Sequence, residues 1–502
     1  MFLRQKKNKS GIISVQVIDK SSGKYKVIQT IGSSADKFKI ELLISQGQEW
    51  IKKKNGLVEL DFTNYQHHTE QILEGITQIY VEGTELLLGK LFDEIGFNQI
   101  PDVLFKQLVI ARLSFPVSKL KTTDYLSKYH FINVDVQNIY RYLDKLHQTQ
   151  IQKVQHISYN HTLRLLKTIS VVFYDVTTLY FEVEKEDELR KTGFSKDGKH
   201  QHPQIVLGLL VSADGYPLAY DIFEGNKFEG HTMLPIIETF KHKYNLSKLV
   251  VVADSGLMST SNIEQLELQG YEYIIGARIK NEKKQIQEQI LSLTLKHGES
   301  AVIPKDVKSK LIISYSEKRA LKDKYNRQRG LQKLDKQIQL GKLTKSNINN
   351  KGYNKYLKLE GDLKVSLDLS KLEEDSKWDG LKGYATNTDL SKNEIIENYN
   401  HLWKIEKAFR ISKTDLQIRP IYHRLQRRIE AHICIAFAAY KIYKELERQL
   451  KEKQTALSAE QAIEIARTIY TIKIVHPITQ KTTTKTIYIS EEQKHLAKLF
   501  DL

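Results

Sequence analysis

Apolar residues along this chain keep two different rhythms. Between about residues 170 and 277 they come in short unbroken runs rich in Val, Ile, Tyr and Phe, closed by Gly, Asp or Ser, and such runs predict buried strands. SVVFYDVTTLYFE, QIVLGLLVSA and PLAYDIFEG are three of them, and Asp214-Gly215-Tyr216 joins the last two as a β-hairpin. His231 to Tyr244 then predicts a helix, Leu249 to Ala253 a strand, Asn262 to Gln269 a helix and Tyr271 to Ala277 a strand. Three strands in series, then helix, strand, helix, strand, describe an α/β domain.

On either side the rhythm changes. Met1 to Ser34 alternates weakly, predicting strands at Ile12 to Ile18 and Tyr25 to Ile31 around Ser21-Ser22-Gly23, and helical periodicity then runs to about Leu166. Within it, Pro116 breaks two helical patterns in VLFKQLVIARLSFPVSKLKTTDYLSKYH, which reads as a helix-turn-helix or as part of an ordinary helical bundle. Beyond residue 277, strands are expected at Ser300 to Ile303, Leu311 to Tyr315 and Leu363 to Leu369. Lys318 to Lys345 carries ten basic residues and two acids on a helical pattern. Near the end, ENYNHLWKIEKAFRISKTDL predicts one amphipathic helix opened by a Ser391–Glu394 capping box and stopped before Arg419-Pro420. Leu402, Ile405, Phe409 and Leu416 would face the core, whereas Tyr399, Glu406, Arg410 and Lys413 fall within roughly 60° of one another.

Composition narrows the partners. Lys and Arg number 77 against 60 Asp and Glu, for a formal charge of +17 and a pI near 9.3. That balance suits a polyanion, although ribosome-associated and membrane-surface proteins share it. No run approaches the roughly 20 apolar residues of a membrane span, ICIAFAAY being the longest relevant one, and MFLRQKKNKSG is not an apolar leader. The single Cys434 lies in that apolar helix, which excludes a disulfide framework and a thiolate zinc site. A cytosolic protein is expected.

The candidate chemistry is carried by acids. Asp175 is embedded in an otherwise apolar strand, and a buried carboxylate costs several kcal/mol unless a cation, hydrogen bonds or a metal pairs with it. Asp254 ends a short strand before Ser255-Gly256, where α/β proteins place ligands and where turns also put an Asp. Glu406 and Lys413 at helical spacing are a third acid with its cation, or a solvated face. Asp221 rivals Asp175 from the third strand of the series. His200 and His202 have no second ligand pair nearby, and Gly83 to Lys90 has the wrong spacing for a phosphate loop and reads as a helix. Some 150 residues separate Asp254 from Glu406, too many for one loop, so a subdomain is expected between them.

YDVTTLYFE, GFSKDGKHQHPQIVLGLLV, VVADSGLMS, IEKAFRISKTDLQIRPIYHR and RIEAHI, in this order, resemble the DDE transposases of the IS-four superfamily, most closely its sixteen-thirty-four branch, over residues 170 to 440. Tyr399, Glu406 and Lys413 match that group's Y-R-E-K signature, and Leu402 stands where it has Arg. The resemblance implies an α/β, RNase H-like catalytic domain with an inserted β-rich subdomain, preceded by a mostly helical DNA-binding region. The implied layout is an N-terminal region at 1–166, the catalytic domain at 167–277 and 385–450, a basic insertion at 278–384 and a C-terminal segment at 451–502. Asp175, Asp254 and Glu406 would be catalytic and would hold two Mg²⁺ ions, with Mn²⁺ a substitute. Tyr399, Lys413, Arg410 and Trp403 would touch DNA, Trp403 being either a base-stacking or a core residue. The implied partners are double-stranded DNA, at terminal inverted repeats and target sites, and a second copy of the chain, in the bacterial cytosol at the nucleoid. A transposase-derived DNA-binding protein without catalysis and a nuclease of the same fold remain open alternatives.

Overall fold

In the computed structural model, which describes residues 1–8, 11–55, 65–195, 198–246, 248–256, 260–349, 351–360, 364–476 and 479–502, the unbroken apolar runs become strands of one eight-stranded mixed sheet. They are β1 (Val171–Tyr180), β2 (Gln204–Ser212), β3 (Pro217–Glu224), β4 (Val250–Ala253), β5 (Glu272–Ala277), β6 (Ser300–Pro304), β7 (Lys310–Tyr315) and β8 (Leu381–Thr386). Their order across the sheet is β6-β7-β8-β5-β4-β1-β2-β3. Only β1 with β4 and β4 with β5 run parallel. Parallel neighbours need a crossover, and helix α1 (Met233–Tyr244) leads into β4 and α2 (Thr260–Leu268) into β5.

Side chains alternate across the sheet and bury two cores. Val172, Tyr174 and Val176 of β1 pack with Met233, Ile236 and Phe240 of α1, with Leu266 of α2, and with Ile286 and Ile290 of α3 (Lys284–Ser292). Phe173 and Leu179 point the other way, into a larger core shared with the helices of residues 90–166 and with the C-terminal helices. The chain divides into two units, residues 1–78 with 473–483 and residues 79–472 with 484–502, and the sheet lies wholly in the second.

In the first unit the predicted strands are Ile13–Asp19 and Lys26–Ser34. A third, Phe2–Lys7, pairs antiparallel with Ile13–Asp19 and escapes a hydrophobic pattern because FLRQKK is mostly polar. In the second unit the helical region follows expectation, with Val103–Ser114 and Lys119–His130 flanking Pro116 and Ile151–Leu166 closing it. The residues from Gly83 form a helical turn, Glu85–Gly89, continued by Lys90–Ile95.

The segment between β5 and the Glu406 helix does not stand apart from the sheet as a whole. β8 pairs with β5, β7 with β8 and β6 with β7, so three of the segment's five strands among the described residues widen the central sheet. The remainder comprises α4 (Glu317–Gln339), a hairpin of Leu357–Glu360 with Lys364–Leu367, and α5 (Leu369–Ser376). Its own small core is Leu334, Tyr356, Leu357 and Val365. The predicted strand from Leu363 begins outside the described residues.

One predicted helix is two. The Ser391–Glu394 capping box is present, but it opens α6 (Lys392–Asn400), which carries Tyr399. Glu406, Arg410 and Lys413 lie on α7 (Trp403–Thr414). Between them the bonds tighten to i→i−3, Leu402 N donating to Tyr399 O and Ile405 N to Leu402 O. Leu402 is buried at this joint, as are Ile405, Phe409 and Leu416. Helix α8 (Gln426–Glu452) follows, buried through most of its length, with Cys434 inside the core. Among the described residues no helix is long and apolar enough to cross a membrane.

Buried Leu402 occupies an apolar joint that offers a cation no partner. Leu402→Arg is expected to cost on the order of 3 kcal/mol, because the guanidinium would enter an apolar joint without a partner. Thermal unfolding checks this: the Arg variant melts well below wild type and Leu402→Met close to it, and an Arg variant as stable as wild type contradicts the packing described.

Candidate active site

Asp175 sits in the middle of β1, on the same face as Phe173 and Leu179, the face that α7 covers. The parallel register pairs Tyr174 with Ala253, so Asp175 and Asp254, each one residue further on, stand side by side on neighbouring strands. Val250 and Val252 bury on this same face, and alternation gives Asp254 that face too. Neighbouring strands lie about 4.8 Å apart, so two carboxylates share one small region. The rival Asp221 shares its face of β3 with Ala219 and Phe223, which pack in the opposite core.

Both aspartates accept a hydrogen bond from the backbone N–H of the next residue. Val176 N donates to Asp175 Oδ1 at 2.7 Å, and Ser255 N donates to Asp254 Oδ1 at 2.8 Å. Tyr399 adds a third donor, its hydroxyl lying 3.0 Å from Asp254 Oδ1. Tyr399 is only 7% exposed. Burial, and then the negative charges of Asp254 and Glu406, hold its phenol protonated well above the usual tyrosine range. Tyr399 thus feels acids from both the sheet and α7. Its approach depends on Gly276 of β5, where a methyl group would overlap the phenol oxygen.

Glu406 is exposed on α7, as is Arg410, while Lys413 is half-buried one turn further along. Trp403 is 53% exposed and belongs to no core; it lines a cleft with Lys404, Lys407, Lys444 and Lys451. His200 is held in a loop, where its Nδ1 accepts from Ser195 N at 3.3 Å. The three acids and Tyr399 are therefore brought to one side of the sheet. They are not closed into a ligand set: among the described residues, no three His, Cys, Asp or Glu side chains are gathered to hold a metal ion.

Residues that pattern reading did not single out complete the surroundings. Lys382 of β8 places Nζ 4.5 Å from the centroid of the Tyr399 ring. Arg278, just past β5, donates from Nη2 to the Ser255 carbonyl at 3.0 Å. Gly276 carried a sequence signal, a glycine within an apolar strand. Lys382 carried none, because LKGYAT has no clear strand period.

Paired carboxylates on a mixed sheet, with a third acid on a covering helix, define a phosphoryl-transfer class of α/β protein. The sequence matches the transposase DDE domain family over residues 166–442, more than half of the chain. The chain belongs to that family, and it is a transposase by descent. No curated protein matches the sequence. Among solved structures, a piggyBac transposase synaptic complex with hairpin DNA is similar at 10% identity with a TM-score of 0.39, covering 80% of this chain and 79% of that chain.

The Gly276–Tyr399 contact gives a double-mutant test. Gly276→Ala is expected to cost about 1–3 kcal/mol by overpacking. Because the hydroxyl is the nearest atom, the loss shrinks when Phe replaces Tyr399. Melting curves of the two single variants and the double variant report the coupling, and strictly additive losses contradict the contact.

Proposed function

We propose that this transposase cleaves DNA at the ends of its own element and joins the freed ends to target DNA, with Asp175, Asp254 and Glu406 as its catalytic acids. The observation that carries this is the shared sheet face of Asp175 and Asp254, roofed by the helix bearing Glu406. The antiparallel β1-β2-β3 series followed by two helix-linked parallel strands supports an RNase H-like domain. The sequence motifs favour the sixteen-thirty-four branch of the IS-four superfamily.

The donors are all carboxylate oxygens, which suit a hard divalent cation such as Mg²⁺ or Mn²⁺. Bound there, such ions supply Lewis-acid stabilisation of the attacking and leaving oxygens. Asp175, Asp254 and Glu406 would hold them, and Tyr399 orients Asp254 through its hydroxyl. Arg410, Lys413 and the exposed Trp403 lie on the Glu406 helix and contact the DNA backbone and a base.

The reaction has two displacements at phosphorus. Water bonds to the phosphorus at the element's end as the P–O3′ bond breaks, leaving a 5′-phosphate and a 3′-hydroxyl. That hydroxyl then bonds to a target phosphorus and displaces its 3′ oxygen. Helices Val103–Ser114 and Lys119–His130 belong to the region assigned to terminal-repeat recognition, and a homodimer in the bacterial cytosol holds both ends.

Purified protein incubated with Mg²⁺ and duplex DNA carrying the inverted repeats that flank its gene provides the test. Wild type nicks at the repeat end and joins strands, and Asp254→Ala falls to background. Identical background activity in both marks a DNA-binding derivative without catalysis. Cleavage indifferent to the repeat, without joining, marks a nuclease.

A further inference from the structure

Beside the acids lie two cations, Lys382 and Arg278, for which no ion pair within 4 Å is found among the described residues. The β5–β8 ladder ends at Ala277 paired with Gly383, and Arg278 and Lys382 are the next residues on the two chain paths beyond that pair. Lys382 shares its face of β8 with Tyr384, which packs with Tyr399 in the larger core. Lys382 Nζ lies 4.5 Å from the Tyr399 centroid and 5.2 Å from that of Tyr384. Arg278 reaches the end of β4 through its bond to the Ser255 carbonyl.

Both cations line a cleft with a volume of about 460 Å³ between the sheet and α4. The acids of that cleft are already engaged. Asp375 pairs with Lys280 and with Lys355 at 3.0 Å, and Arg327 grips both oxygens of Asp379 at 2.5 and 2.6 Å. Asp323 accepts from Gly380 N and stands 3.6 Å from Arg319. Burial and then the charge of Arg319 press on the Lys382 ammonium, with Asp254 opposing them. Crowded cations in a half-open cleft are relieved by an anion. Buried Leu402 cannot supply a cation from the α6–α7 joint.

We propose that Lys382 and Arg278 form a clamp for a backbone phosphate of the DNA strand that enters the site beside Asp254. The identity of the anion as DNA rests on the transposition reading above; the clamp itself rests on the two side chains. A phosphodiester fits because Arg278 bonds the residue after Asp254 and Lys382 feels the charge of Asp254, and because two cations recognise charge without reading a base.

Fluorescence anisotropy with a labelled random-sequence 30-base-pair duplex, in EDTA so that no metal contributes, measures the clamp alone. Lys382→Gln and Arg278→Gln are each expected to weaken binding roughly fivefold to tenfold near 0.1 M salt. Each should also flatten the plot of log affinity against log salt by about one unit. Lys382→Arg retains most of the affinity. If both Gln variants bind with wild-type affinity and wild-type slope, the clamp is wrong. Should Lys382→Gln fold poorly by its melting curve, the exposed Arg278→Gln decides. Cleavage by wild type is scored separately: a protein that never cuts DNA but loses affinity and slope in these variants keeps the clamp and loses the transposition reading.

Discussion

The structure turns on one constraint, the parallel pairing of β1 with β4, which sets Asp175 and Asp254 side by side. Two carboxylates at that spacing repel unless donors or cations stand around them. Their neighbours answer this need. Backbone N–H groups of Val176 and Ser255 and the hydroxyl of Tyr399 point at the carboxylates, and Arg278 and Lys382 flank the Asp254 side. A site of this kind concentrates negative charge on purpose, and its natural complement is a cation.

Tyr399 links the sheet to the covering helices. It leaves α6 at its last turn, crosses over Gly276 and reaches Asp254, while its own ring carries Lys382. The break at His401-Leu402 then redirects the chain, so that Glu406 starts from a separate helix packed on β1. A straight helix would have put Tyr399 and Glu406 on one stripe. The break lets Tyr399 bury against the sheet while Glu406 stays exposed. Leu402 at the joint is a packing residue, and the positive charge beside Tyr399 comes from β8, distant in sequence.

What could be read from the sequence was the local part of this arrangement. Strands β1 to β5 and their two helices stood out because their apolar runs are unbroken and their stops are Gly, Asp and Ser. Asp175 stood out as an acid where burial penalises one. The missing pieces were those fixed by tertiary pairing. β8 is a six-residue segment with a glycine and a lysine inside it, and only its place between β5 and β7 makes it a strand. The α6–α7 joint was hidden because Leu402 and Ile405 satisfy a helical period and the break itself contains no Pro or Gly. Long-range register, which brings β8 beside β5 and Lys382 over the Tyr399 ring, leaves no trace in one sequence.

Asp175, Asp254 and Glu406 are proposed to serve one metal-dependent site. Crystals grown with Mn²⁺ and measured at its absorption edge test it most directly. Anomalous density is expected against the Asp175 and Asp254 carboxylates, with Glu406 turned toward it, and is expected to be lost in Asp175→Asn. Anomalous density elsewhere on the chain, or none at a Mn²⁺ concentration that supports DNA cleavage, would contradict it.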